Sequence, residues 1–236
     1  MQLYDFKMAP NARRVRIFVA EKRLDIPKID VDLGSRGQLT EAYLKINPLG
    51  QVPALVLDDG TVITESTAIC HYLEDVYPDP ALCGCTPLER AQMMMWDRRV
   101  EQHGFAAVAE AFRNGSAFFK DRSVTGPADF PQIPALVERG TQRFANFLSL
   151  MEQRLGETEF VGGEHYGIAD ITALVTVDFA RTIKGVTGGV NPRNSGGDGA
   201  SRARTSKVQQ VRLIANRGGA GSCGSRPSAR RAPAPL

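Results

Sequence analysis

The segment Gln51-Val52-Pro53-Ala54-Leu55-Val56-Leu57 constrains this chain most, because it is an apolar strand headed by a residue that cannot donate to a ladder. Proline lacks a backbone N–H and has a fixed φ, so within a sheet it is confined to a strand's first residue, an edge or a bulge. Asp58-Asp59-Gly60 follows, and Asp-Gly between apolar runs is a strong hairpin turn. Thr61 to Ile63 supplies the returning strand, and Glu65-Ser66 opens a helix running to about Val76. Pro78 and Pro80 end that helix and begin a linker.

Upstream, Met1 to Phe6 is a short apolar segment, and a loop leads to Pro10, well placed for the first turn of a helix from about Asn11 to Lys22. Val15, Phe18 and Val19 recur at helical spacing with Ile17 beside them, while Arg13, Arg14 and Arg16 mark the wetter side. After Pro27, Lys28 to Leu33 alternates as a strand does, and Gln38 to Ile46 suits a short second helix ended by Asn47-Pro48. The order is therefore βαβαββα over residues 1–80, an α/β domain, with residues 81–86 as linker. Thr86-Pro87-Leu88-Glu89 is a capping box with proline at the first helical position, so a long helix starts there. Leu88 to about Phe119 and Pro134 to Leu155 are helical in pattern, and a further helix begins at Gly167-Ile168-Ala169-Asp170 and runs to about Ile183. Residues 87–186 read as an all-α domain, incomplete for want of further apolar pattern.

Charge divides the chain sharply. Residues 1–186 carry a net −5, whereas residues 187–236 hold nine Lys/Arg and one acid, so the overall +3 belongs to the tail alone. That tail has nine glycines and much Arg, Ser, Ala and Pro, and is expected to be disordered. Its composition suits a frameshifted or truncated gene as readily as an evolved extension. Without interleaved aromatics it gives no ground to expect a nucleic-acid partner. No run approaches the roughly 18 apolar residues of a membrane span, and no signal peptide is evident, so a cytoplasmic protein with no membrane partner is expected. Cys70, Cys83, Cys85 and Cys223 fit neither a secreted disulfide framework nor zinc knuckles and are expected as thiols. His71, His103 and His165 are scattered, so no metal site is expected.

Three motifs in fixed order carry a resemblance: Asn47-Pro48-Leu49-Gly50-Gln51-Val52-Pro53-Ala54-Leu55, Thr64-Glu65-Ser66-Thr67-Ala68-Ile69, and Gly167-Ile168-Ala169-Asp170. With them, residues 1 to about 186 resemble the cytosolic glutathione S-transferases, and Pro10 to Ile17 looks like the bacterial and zeta-like or theta-like branches. The resemblance implies a thioredoxin-like α/β N-terminal domain, an all-α C-terminal domain, glutathione as co-substrate, a small electrophilic second substrate and a homodimer. It implies a cis bond before Pro53, with Val52 offering its N–H and C=O to the tripeptide as an added strand would. Ser66 would donate to the γ-glutamyl carboxylate at a helix start and Glu65 would pair with the α-ammonium. Gln38 and Gln51 would meet the glycyl end. Asp170 would be a structural capping acid, and one or two of Met93, Met94 and Met95 could touch substrate, although helix packing suffices for them.

Thiol activation departs from the pattern. Related branches place a Ser or Cys in the loop before the first helix, and here that loop reads Lys7-Met8-Ala9-Pro10-Asn11, with Ala9 about where the hydroxyl is expected. The remaining donors are the Asn11 amide, the backbone N–H groups of residues 11 and 12, and, less favoured, Tyr4; Asn11 is the candidate catalytic residue. Two functions stay open: an enzyme activating the glutathione thiol for attack on a small apolar electrophile, and a non-catalytic interaction module of the same fold. Thiol-disulfide chemistry ranks lower, since no cysteine stands in that loop.

Overall fold

The computed structural model describes residues 1–183, and the basic tail therefore lies outside the described residues. Strands β1 (Gln2–Asp5), β2 (Lys28–Asp30), β3 (Ala54–Val56) and β4 (Val62–Thr64) form one sheet in the order β2-β1-β3-β4. β1 runs parallel to β2 and antiparallel to β3, and β3 pairs antiparallel with β4. Helix α1 (Pro10–Glu21) crosses between the two parallel strands. Its Val15, Phe18 and Val19 are buried with Leu3 and Leu55 of the sheet and with Ile69 and Leu73 of α3 (Ser66–Val76). The hairpin turns where the Asp-Gly signal lies: Leu57 N–H donates to the Thr61 carbonyl at 2.8 Å, and Thr61 N–H to Asp59 Oδ1 at 2.8 Å.

The expected second helix is divided. Residues Gly37–Leu39 make one 3₁₀ turn, Thr40 is extended (φ −69°, ψ 149°), and α2 covers only Glu41–Leu44. Thr40 Oγ1 accepts from Tyr43 N–H, so a helix N-cap interrupts what the pattern reads as one helix. Gly50 explains the tight return to β3. It holds φ +59°, and a Cβ there would stand 2.8 Å from Leu39 Cδ2 and 3.2 Å from the Gln38 carbonyl oxygen.

The rest is helical. α4 (Pro87–Arg99) starts on the capping box, with Thr86 Oγ1 accepting from Glu89 N–H and Glu89 Oε2 from the N–H groups of Cys85 and Thr86. A π-helical segment, Val100–Phe105, leads into α5 (Ala106–Gly115). A 3₁₀ turn, Ala117–Phe119, and a loop lead to α6 (Ala135–Glu157), and α7 (Ile168–Ala180) follows. α5 and α6 cross at Gly140, where a Cβ would lie 2.6 Å from the Ala107 carbonyl oxygen. α7 sits centrally: Ile168, Ala169, Ile171, Ala173, Val175 and Val177 are all buried. Asp170 starts it as expected, its Oδ2 accepting from Gly167 N–H at 3.0 Å and its Oδ1 from Val161 N–H at 2.8 Å. Burial pushes the Asp170 carboxyl up to about 7.

Two buried polar clusters join the α/β part to the helices. Lys22 Nζ lies 2.5 Å from Glu74 Oε2 and donates to the carbonyls of Tyr77 and Pro80, while Glu74 accepts from the N–H groups of Leu82 and Cys83. Nearer the sheet, Arg14 reaches Glu101 Oε1 at 3.4 Å and lies over the Phe105 ring, and Thr172 donates to Asp97 Oδ1 at 2.5 Å. Cys70 and Cys83 are free thiols, both buried, and burial pushes both up. Cys85 is disulfide-bonded, which corrects the expectation of four thiols; spacing along the chain carries no information on that bond.

Candidate active site

The Val52-Pro53 bond is cis, as the resemblance implies. Among the described residues neither the N–H nor the C=O of Val52 makes a hydrogen bond. The turn that carries it is held from outside. Tyr43 O–H donates to the Gln51 carbonyl at 2.6 Å and Asn47 Nδ2 donates to the same oxygen at 2.8 Å. Asn47 Oδ1 in turn accepts from Leu49 N–H, so one buried side chain ties both ends of the loop. Burial and the neighbouring Tyr4 push the Tyr43 phenol up to about 12, which keeps it protonated and donating at neutral pH.

Sheet register brings the other predicted residues to this turn. Ala54 pairs with Thr64, so Val52-Pro53 and Glu65-Ser66 leave adjacent strands at the same end. Ser66 is buried at the first position of α3, and its hydroxyl has no hydrogen-bond partner among the described residues. The first-turn N–H groups of that helix lack intrahelical acceptors, as at any helix start, and favour an anion. Glu65 is exposed and holds φ +66°, ψ 121°, a conformation that costs a non-glycine residue about 1 to 3 kcal/mol. The bend turns the chain abruptly from β4 into α3 and leaves the Glu65 carboxylate in solvent beside Ser66.

Gln38 sits on the 3₁₀ turn against Gly50, half-buried, and its Oε1 is buried without a partner. Gln51 points the other way: its Nε2 donates to Thr125 Oγ1 at 2.9 Å, on the loop between α5 and α6. That loop thus reaches back to the α/β part beside Val52, a contact that nothing in the sequence signals.

The loop before α1 closes the site. Ala9, Ala12, Val31, Tyr43 and Val52 form one small buried cluster, with Tyr4 and Phe6 packed against it, so this loop and the Val52 turn share a wall. Ala9 is the N-cap of α1 and makes no side-chain cap; Pro10 follows at the first helical position. Arg16 fixes the loop, donating to Asp5 Oδ1 at 2.5 Å and to the carbonyls of Phe6 at 3.2 Å and Lys7 at 2.8 Å. Asn11 is half-buried in the first turn, and its Oδ1 is buried without a partner. Rotation of the amide exchanges oxygen and nitrogen, so this side chain can turn either a donor or an acceptor to the same point. Tyr4 is partly buried, its ring 5.9 Å from that of Tyr43.

Met93 and Trp96 are buried in the core, whereas Met94 and Met95 are exposed on α4. A cavity of about 480 Å³ lies elsewhere, bounded by Pro80, Leu82, Glu89, Phe160 and Tyr166, and none of the predicted site residues lines it. Among the described residues no group of His, Cys, Asp and Glu is arranged to hold a metal, and no helix is long and apolar enough to cross a membrane.

Known proteins match both the α/β part and the helical part of the chain. A family model described as the glutathione S-transferase N-terminal domain matches residues 3–81, and one described as the C-terminal domain matches residues 134–204. The chain is 30% identical over 187 residues to glutathione S-transferase 2 of Saccharomyces cerevisiae, covering 78% of each protein. It is 40% identical over 105 residues to protein LigF of a Sphingobium species, covering 44% of this chain and 40% of that one. To the maleylacetoacetate isomerase of Pseudomonas aeruginosa it is 44% identical over 94 residues, covering 39% of this chain and 44% of that one. The match therefore spans less than half the length of these last two relatives. Among solved structures, Gtt2 from Saccharomyces cerevisiae superposes with a TM-score of 0.74 at 25% identity, over 91% of this chain and 100% of that one. A glutathione S-transferase domain-containing protein from Marinobacter aquaeolei gives 0.73 at 28%, over 89% and 97%.

Proposed function

The chain belongs to the glutathione S-transferase family, and from that membership we propose that it is a glutathione transferase that activates the tripeptide's thiol for attack on a small apolar electrophile. The observation that carries this is the Val52 turn: main-chain polar groups without partners, held in place through the Gln51 carbonyl, beside a helix start that bears Ser66. Val52 pairs with the cysteinyl backbone of the tripeptide, Ser66 and the α3 N–H groups take the γ-glutamyl carboxylate, and Glu65 takes the α-ammonium. Gln38, with its buried oxygen lacking a partner, and Gln51 stand at the glycyl end.

The thiol must ionise near neutrality, about 2 pKa units below its usual 8.5 or so, which asks for roughly 2.7 kcal/mol. The start of α1 contributes about 0.3 to 1 kcal/mol, and a hydrogen bond to the thiolate, at about 1.5 to 3 kcal/mol, contributes the remainder. Asn11 Nδ2 donates that bond, with the free N–H groups of residues 11 and 12 as its alternatives. The chain divides into residues 1–80, which hold glutathione, a linker 81–86 and a helical part 87–186, and the protein works as a cytoplasmic homodimer. Light scattering of the full chain tests the dimer.

One observation favours a second reading. Ala9 offers no hydroxyl at the α1 N-cap, so the fold can bind glutathione as an interaction module without turning it over. Conjugation of 1-chloro-2,4-dinitrobenzene, read beside calorimetric titration with glutathione, decides between them. Binding with turnover that drops on Asn11→Ala establishes the enzyme; binding without turnover from pH 6 to 9 establishes the module. No binding at millimolar glutathione sinks both.

A further inference from the structure

A row of aromatic rings runs from α1 across the helical part. Arg14 lies 4.3 Å from the Phe105 centroid, Phe105 meets Phe179 at 5.5 Å, Phe179 meets Phe112 at 5.2 Å, Phe112 meets Phe119 at 5.1 Å and Phe119 meets Phe118 at 5.0 Å. Two guanidiniums stand at its far end. Arg113 lies 4.8 Å from the Phe119 centroid and Arg122 5.0 Å from that of Phe118. Among the described residues neither pairs with a carboxylate: Glu110 is engaged by Arg139 and Arg143 and Glu101 by Arg14 and Arg98, while Asp121 and Asp129 on the neighbouring loop are exposed and make no ion pair with either arginine. Arg113 is half-buried, and burial together with the charge of Arg122 holds it below the usual guanidinium range.

Two like charges facing each other at a partly dry surface repel, and the ring faces offset this without neutralising it. The arrangement is nevertheless well fixed. Arg122 Nη2 donates to the Phe118 carbonyl at 2.6 Å, and Gln132 Nε2 donates to the carbonyls of Arg113 at 2.6 Å and Ser116 at 2.8 Å. Three residues beyond Arg122, Thr125 accepts from Gln51 beside the Val52 turn, so Arg122 stands on a loop anchored at the Val52 turn, and Gln132 of the same loop holds the carbonyl of Arg113 at the end of α5.

We propose that Arg113 and Arg122 form the anion-recognising end of the electrophile subsite, and that the acceptor substrate is an aromatic electrophile carrying a carboxylate. This rests on the transferase reading above. Guanidinium forks match a carboxylate in two-point contact, and the Phe112, Phe118 and Phe119 rings receive the planar body. With 4-fluoro-3-nitrobenzoate as probe, the ionised sulfur bonds to the ring carbon bearing fluorine. Fluoride then leaves with the electron pair of the broken C–F bond, the thiol proton having gone to solvent, and the carboxylate is unchanged.

The test compares 4-fluoro-3-nitrobenzoate with 4-fluoro-3-nitrobenzamide on the full chain, each corrected for its reaction with glutathione in buffer. We expect kcat/KM to favour the benzoate by at least about tenfold, the preference falling as salt rises and vanishing in Arg113→Gln and in Arg122→Gln. Equal corrected values overturn the subsite and leave the transferase reading standing. Should neither probe nor 1-chloro-2,4-dinitrobenzene be turned over, the transferase reading falls; whenever neither probe is turned over, calorimetric binding of 4-aminobenzoate against 4-aminobenzamide decides the subsite alone: a preference of about tenfold or more supports it, equal affinity overturns it.

Discussion

The turn at Gln51-Val52-Pro53 and the loop at Lys7-Met8-Ala9-Pro10 face each other across one small buried cluster, yet they are built to different standards. The first has two side chains on a single carbonyl oxygen, a third contact from Thr125 and a required glycine at position 50. The second is clamped through Arg16 but has an alanine, with no side-chain cap, at the N-cap of α1. Positioning groups are thus elaborated at the turn proposed to hold the tripeptide and sparse at the loop proposed to ionise its thiol. Affinity and rate should therefore respond separately to substitution.

Several substitutions can break or sharpen that contrast. On the proposed role of Ser66 toward the γ-glutamyl carboxylate, Ser66→Ala should weaken glutathione binding about 10- to 100-fold by calorimetry, the size of a charged hydrogen bond. An unchanged affinity would mean that the grip lies elsewhere. Ala9→Ser places a hydroxyl at the N-cap of α1; kcat for a chloronitrobenzene should rise about tenfold with glutathione affinity altered less than about threefold. A fall in kcat would show that this loop already has its donor. Asn47→Ala leaves Tyr43 as the only donor to the Gln51 carbonyl, and at about 1 kcal/mol for one neutral bond the affinity should drop roughly fivefold while the pH profile of kcat holds its shape.

The smallest effect on the site concerns Asp170. Its folded-state pKa, near 7, lies above the ordinary carboxylate value, so folding takes up a proton between about pH 4 and 7. Its contribution to stability is full at the acid end of that window, declines as pH rises through it and is constant above. Asp97, also raised by burial, adds to the same slope. Urea midpoints measured from pH 5 to 8 should decline, and Asp170→Asn should flatten the curve without moving the pH profile of kcat.

How far the sequence reveals this molecule depends on whether a feature is local. The Thr86-Pro87-Leu88-Glu89 box and the Asp58-Asp59-Gly60 turn act over four or five residues, and both stand where their chemistry requires. Boundaries were less legible: β3 starts at Ala54, after the proline, and Thr40 caps a helix that periodicity alone extends back to Gln38. That Val52-Pro53 and Glu65-Ser66 come together could be read because they lie on two short motifs joined by a hairpin. Tyr43 and Asn47, which hold the turn, and Thr125, which buttresses it, could not, since each acts through distance in space and has ordinary neighbours in the chain. The Arg113 and Arg122 pair is of the same kind, invisible until rings four elements apart are brought into a row.

The Lys22–Glu74 ion pair bears on where this protein can be cut. Glu74 belongs to α3, but two of the main-chain donors that satisfy it come from Leu82 and Cys83, beyond the proline-rich linker's start. A fragment ending at residue 80 would keep the acid and discard those donors, leaving lysine alone to compensate it at a freshly opened surface. The smallest piece that should survive excision from the N-terminal side consequently extends past Cys83, and protease trimming of the intact chain should stop downstream of that residue.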